Sequence, residues 1–196
     1  MKVTKLVCLG DSLTEGFGVD IANRWTELLK EELNIQIVNK GISGDTTAGM
    51  LARFQTNVID LNPSHVIILG GTNDISLRLK RNVILSNILA MVKVALNADI
   101  TPILGIPTSC FAVENANLEE NKLYRSSEKM HTHIYKYQEL LKHFAQDRNL
   151  DYIDFSINLN TSDYLEDNLH PNKKGHLKMM YNAKEVILNS NKNEQQ

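Results

Sequence analysis

The chain has 196 residues, 42% of them hydrophobic and 22% charged, and a formal net charge of −2. That length suits one domain with a sizeable core, and the balanced charge argues against a nucleic-acid partner. Two cysteines, Cys8 and Cys110, argue against a disulfide scaffold. With no visible signal peptide and no run of 18 apolar residues, the expectation is a cytoplasmic protein without an integral membrane segment.

The first apolar run, "KLVCLG" (5–10), reads as a strand, with Cys8 as a small buried thiol. It stops at a glycine, and "GDSLTEG" (10–16) then sets an acid and a serine at its end. "NRWTELLKEEL" reads as the helix that follows, and "IQIVNKG" (35–41) as the second strand. In "TTAGMLARFQTNVIDL" helical spacing puts Leu51, Phe54 and Val58 on one face. A third strand, "HVIILGG" (65–71), leads to "NVILSNILAMVKVAL", a helix apolar nearly all round and therefore expected to be well buried. "ITPILGIP" (100–107) is the fourth strand. The segment from Leu118 to Arg148 carries Met130, Ile134, Tyr137, Leu141 and Phe144 at helical spacing. "LDYIDF" (150–155) is the fifth strand, and a last helix after Pro171 carries Leu177, Met180, Ala183 and Ile187. Residues 1–190 read as a single domain and 191–196 as a polar tail.

Four of the five strands are nearly continuous apolar runs, which favours a parallel sheet covered by helices on both faces. The alternation of strand and helix implies an α/β sandwich with right-handed crossovers. Ligands in such folds bind beyond the carboxyl ends of the strands. The segments there are "GDSLTEG", "GISGDTT", "GGTNDI" and "GIPTSCF", with "DNLHPN" before the last helix.

Ester hydrolysis needs a nucleophile, a base, a group that orients the base, and donors for the oxyanion. Ser12, at a strand-to-helix turn, can be the nucleophile, and its own N–H can point into the site. Among six histidines His170 is the best base. Pro171 disfavours helical backbone at His170, so a turn is expected there, leading into a helix that starts near Pro171. In that turn Asp167 can fold back onto Nδ1 and leave Nε2 for the serine. His65, His131, His133, His143 and His176 read as surface or packing histidines. Gly44 can offer a backbone N–H, and Asn73 a side-chain amide. Each also has a plainer reading, as a turn glycine and an Asx-turn residue. Asp11 reads as the residue that fixes the turn.

Taken together, "GDSLTEG", "GISGDTT", "GGTND" and "DNLHPN" resemble the four sequence blocks of the GDSL-type esterases, or SGNH hydrolases. They occur in family order from Gly10 to Asn172, and the likeness is greatest to short single-domain bacterial esterases, thioesterases and lysophospholipases. The resemblance implies a flavodoxin-like three-layer α/β/α sandwich. It implies Ser12 as nucleophile, His170 as base and Asp167 as orienter. The N–H groups of Ser12 and Gly44 and the Asn73 side chain would form the oxyanion hole. The implied partner is a small-molecule ester, with no cofactor and no metal; nothing in the pattern assigns an oligomeric state. Thr72 stands where many relatives carry glycine, which bears on pocket shape.

Two other readings compete. "GDSLTEG" also resembles a flavodoxin-type phosphate loop, which would make the chain an FMN-binding electron carrier, and the same fold can serve as a non-catalytic module. For specificity, the loop from Pro107 to Asn121 is expected to form a substrate wall. Phe111 would line the acyl pocket or pack under that loop, and Ile75 and Leu77 would form the opposite side.

Overall fold

A computed structural model describes residues 2–111 and 127–192. Five strands form one parallel sheet: β1 (Lys5–Gly10), β2 (Gln36–Gly41), β3 (His65–Leu69), β4 (Thr101–Ile106) and β5 (Tyr152–Asp154). Their order is β2-β1-β3-β4-β5. Among the described residues the α-helices are α1 (Ser12–Glu15), α2 (Trp25–Leu33), α3 (Thr47–Ala52), α4 (Phe54–Asn57), α5 (Thr72–Ser76), α6 (Arg81–Asn97), α7 (Ser127–Gln146) and α8 (Lys173–Lys192). None is long and apolar enough to cross a membrane.

The apolar runs of β1, β3 and β4 are continuous because both sheet faces are covered. Successive β1 residues serve opposite cores. Val7 and Leu9 pack with Met50 of α3, Ile84 and Ile88 of α6, and Ile134 and Leu141 of α7. Leu6 and Cys8 pack with Trp25 and Leu29 of α2 and with Met179, Met180, Ala183 and Ile187 of α8. Burial drives the Cys8 thiol far above its ordinary range, with Glu27 adding to the effect. Each large apolar side chain sequestered in this way contributes about 1.5–3 kcal/mol. The central strands are thereby fixed, and their carboxyl ends form one shared edge.

Three helical readings change in the structure. The segment after the second strand is not one helix. It breaks at Arg53 (φ −100°, ψ 8°) between α3 and α4, and a 3₁₀ turn follows at Ile59–Leu61. Phe54 and Val58 are buried as expected, whereas Leu51 is only half-buried. At this break the Arg53 side chain donates to the carbonyls of Gly10 and Lys40. In α6, Ile84, Ile88, Met91, Val92 and Ala95 are buried, but Val83, Val94 and Leu96 face solvent, at 44%, 38% and 52% exposure. An outer-layer helix has only one sheet to cover.

The third change is in α8, where Leu177 is 41% exposed. The inward stripe is His176, Met179, Met180, Ala183 and Ile187. Asn172 Oδ1 accepts the N–H groups of Lys174 and Gly175, so the helix starts two residues after Pro171. In α7 the residues Ile134, Tyr137, Leu141 and Phe144 are buried at the expected spacing. Residues 118–126 of that anticipated segment, and 193–196 of the tail, lie outside the described residues.

Candidate active site

At the end of β1 the chain turns sharply. Asp11 caps α1, its Oδ1 accepting the Leu13 N–H at 2.9 Å. Ser12 is the first residue of α1 and is 9% exposed. The short helix lies directly on the end of β2: a Cβ at Gly41 would stand 2.1 Å from the Glu15 nitrogen, so only glycine permits the approach.

After β2 the chain passes through Gly44 with φ +81°, a left-handed backbone that favours glycine. Among the described residues, its two chain neighbours aside, no atom lies within 4 Å of where its Cβ would be, so open space stands in front of it. Thr46 then caps α3 by accepting the Gly49 N–H. After β3, α5 carries Asn73 in its first turn. The Asn73 amide donates to the Asp45 carbonyl at 2.9 Å and, at 3.4 Å, to Asp11 Oδ2. Next to it the buried Asp74 accepts both the N–H and the hydroxyl of Thr47, at 2.9 and 2.6 Å, tying α5 to α3.

The fourth segment is the turn before α8. Asp167 Oδ1 accepts the backbone N–H groups of Leu169 (3.0 Å) and His170 (2.9 Å). Asp167 Oδ2 accepts from His170 Nδ1 at 2.6 Å. His170 Nε2 then lies 2.9 Å from Ser12 Oγ, joining residues 158 positions apart. The turn is anchored by the Leu165 N–H donating to the His170 carbonyl at 2.8 Å and by an antiparallel bridge between Tyr164 and Pro171. The ring of Phe17 packs on the His170 ring with centroids 4.5 Å apart.

Two carboxyls at this edge are shifted in opposite directions. Burial pushes Asp11 up to about 7, with Asp45 and Asp74 adding to the rise and the Leu13 N–H and His170 opposing it. Burial raises Asp167 too, but the bonds from the His170 ring and from the two backbone N–H groups outweigh it and hold that carboxyl at about 2.

The structure thus brings Ser12, Asp167 and His170 into one hydrogen-bonded chain. It ties Asn73 to Asp45, the residue after Gly44. Ile75 is buried in the core cluster with Val7 and Leu9, while Leu77 is 59% exposed. Phe111 is half-buried, edge-on to Tyr164 at 5.1 Å, and its N–H donates to the Asn168 carbonyl at 3.0 Å. Residues 112–121 of the anticipated wall lie outside the described residues. Thr72 is buried. Of the other histidines, His65 and His176 are buried, and burial lowers each to about 4. His176 Nδ1 accepts the Trp25 N–H at 3.3 Å, and His131 Nδ1 lies 2.6 Å from the Cys110 carbonyl.

Sequence reasoning passed over Arg53, Asp45 and Phe17. A charged residue at position 53, between Leu51 and Phe54 in an apolar helical pattern, was the available signal. Among the described residues no group of three His, Cys, Asp or Glu side chains is placed to hold a metal ion.

The profile of the GDSL-like Lipase/Acylhydrolase family matches residues 8–178. The chain is 31% identical over 134 residues to the uncharacterized lipoprotein YqeF of Bacillus subtilis, covering 62% of this chain and 54% of that protein. It is 38% identical over 74 residues to esterase TesA of Pseudomonas aeruginosa, covering 35% of this chain and 37% of that one. The matched stretches therefore span about half or less of these relatives. Among solved structures, a protein of the lipolytic G-D-S-L family from Desulfitobacterium hafniense superposes with a TM-score of 0.77 at 26% identity, over 93% of this chain and 99% of that one. The matches do not favour a flavodoxin-type electron carrier. The chain belongs to the GDSL-like lipase/acylhydrolase family.

Proposed function

We propose that the chain is a carboxylic ester hydrolase that works through an acyl-enzyme on Ser12. The observation that carries this reading is the continuous hydrogen-bonded chain Ser12 Oγ–His170 Nε2 and His170 Nδ1–Asp167 Oδ2, at 2.9 and 2.6 Å. Asp167 holds the Nδ1 proton in place, which leaves Nε2 as the acceptor for the serine proton. Ser12 Oγ attacks the carbonyl carbon as that proton passes to Nε2. The tetrahedral adduct then expels the alcohol, whose oxygen takes the proton back from Nε2. Water repeats the sequence on the acyl-enzyme and releases the acid.

The oxyanion donors in this reading are the N–H groups of Ser12 and Gly44 and the amide of Asn73. Asn73 spends one N–H on the Asp45 carbonyl at 2.9 Å, and its contact to Asp11 is long, at 3.4 Å. The weakly held N–H is the one an oxyanion would claim, so the bond strengthens as charge develops. Burial disfavours the charged form of the neighbouring Asp11.

The substrate class is a small ester, thioester or lysophospholipid. A chain-length series of p-nitrophenyl esters, run beside acetylated sugars and lysophospholipid, identifies the acyl and alcohol preferences. A serine-reactive phosphonate should label Ser12 stoichiometrically and abolish turnover. Labelling of Ser43 instead would overturn the assignment; its hydroxyl donates to the Glu15 carboxylate.

A further inference from the structure

Three bonds leave the guanidinium of Arg53. Nη2 donates to the carbonyl of Gly10 at 2.9 Å, Nη1 to that of Lys40 at 2.8 Å, and Nε to Asp45 Oδ2 at 2.7 Å. The side chains of Arg53 and Asp45 are only 14% and 13% exposed. Gly10 ends β1, two residues before Ser12. Lys40 is the penultimate residue of β2. Asp45 directly follows Gly44, and its own carbonyl receives the Asn73 amide at 2.9 Å.

One side chain therefore joins the segments that bear the Ser12 and Gly44 donors, and its partner Asp45 receives the amide of the third, Asn73. Resting on the ester-hydrolase reading of the site, we propose that Arg53 is the positioning residue of the oxyanion hole. Through Gly10 it sets the turn that carries the Ser12 N–H. Through Asp45 it sets the Gly44 N–H and the acceptor that aims Asn73.

Donors drawn from three separate strand ends have no covalent neighbour to fix their spacing, and a misplacement of ~1 Å can cost on the order of 10²-fold in rate. A planar guanidinium meets several acceptors at once from a rigid fork, whereas a lysine ammonium is a point charge on a flexible stem. A buried arginine–carboxylate pair is weak evidence for a role in stability, because desolvation offsets the Coulomb gain.

The test uses Arg53→Met, Arg53→Lys and Asp45→Asn in the full chain, with Ser12→Ala as control. Turnover of p-nitrophenyl acetate, melting temperature and affinity for phenylboronic acid are measured on the same preparations. The boronate adduct with a serine hydroxyl is tetrahedral and puts an oxygen where the oxyanion would sit. Arg53→Met should lower kcat on the order of 10²-fold with little change in KM, and boronate affinity should fall in step. Arg53→Lys should restore only part of the loss. Asp45→Asn should lower kcat less, and non-additively with Arg53→Met, because both act on one linkage.

Variants that melt lower but keep wild-type kcat and boronate affinity below their melting temperature would overturn the proposal, leaving Arg53 a structural brace. Should Arg53→Met fail to fold, unchanged kcat and boronate affinity in Asp45→Asn would overturn it equally. If Ser12→Ala keeps its activity, the hydrolase reading fails and the positioning role falls with it. If Ser12→Ala is inactive while the Arg53 and Asp45 variants turn over normally, only the positioning role fails.

Discussion

The turn from Asp167 to His170 and the edge bearing Ser12, Gly44 and Asn73 meet where His170 Nε2 lies 2.9 Å from Ser12 Oγ, yet they are built differently. In the turn, the bonds that orient the histidine ring and its acid come from residues no more than three positions apart. At the donor edge, the bonds cross the chain: Arg53 reaches Gly10, Asn73 reaches Asp45, and Asp74 reaches Thr47. The acid in the turn has a side chain 37% exposed, whereas Asp11 is fully buried. A local turn keeps its geometry while the surrounding packing loosens; an edge assembled from three strand ends does not. The donor half should therefore be the more sensitive to changes in distant residues, and the histidine half to changes within its own turn.

The largest effects are expected where the two halves join. Ser12→Ala and His170→Ala should each lower kcat by roughly 10⁴-fold or more, since members of the proposed triad would act as a unit. Melting curves should stay close to wild type, and comparable activity in either variant would remove the join. Within the turn, Asp167→Asn should cost less than the roughly 10⁴-fold seen for the same change in a serine protease, because the turn itself also holds the ring. Asp154→Asn is the control. Asp154 already serves Ser156 and pairs with Lys142 at 2.9 Å, so the change should leave kcat near wild type. A larger loss there than in Asp167→Asn would mean the wrong acid has been named.

At the edge bearing the proposed donors, Asn73→Ala should lower kcat by roughly 10²–10³-fold with KM little changed, as expected for loss of one oxyanion donor. A variant that melts lower but turns over normally would show that Asn73 only holds its turn, a loss of about 1 kcal/mol. The smallest effect sharpens the contrast in burial. Asp11, raised from 3.8 to about 7 in the fold, contributes stability that is present below 3.8 and lost as pH rises through about 7. Asp167, lowered from 3.8 to about 2, contributes stability that is present above 3.8 and lost as pH falls through about 2. Asp11→Asn should therefore flatten the decline of melting temperature between those two values for Asp11, and Asp167→Asn should flatten the rise on the acid side. An unchanged Asp11→Asn profile would show that this carboxyl does not titrate there.

Much of this molecule is decided over short stretches of chain. The apolar runs "KLVCLG" and "HVIILGG", each ending in glycine, are enough to specify buried strands. Asp167 and His170 are close enough in sequence for the turn to bring them together, and Asn172 is placed to cap α8. Three of the four motifs could be assigned to strand ends, and the fourth to the turn before the last helix, because alternating strands and helices leave few topologies open. What the sequence left undecided depends on partners that lie far away in the chain. Leu177 satisfies the helical period but faces solvent, because the packing of α8 on α2 and β5 selects the stripe through His176. Ile75 and Leu77 were equivalent as letters, and only the packing of α5 buries the first and exposes the second. Asp11 reads as an ordinary cap until the sheet and α5 close over it. Arg53 looks like a charge on a helix until β1, β2 and the Gly44 loop bring their acceptors to it. Local bonds can be read from neighbouring residues, but burial and long-range acceptors exist only once the layers have packed.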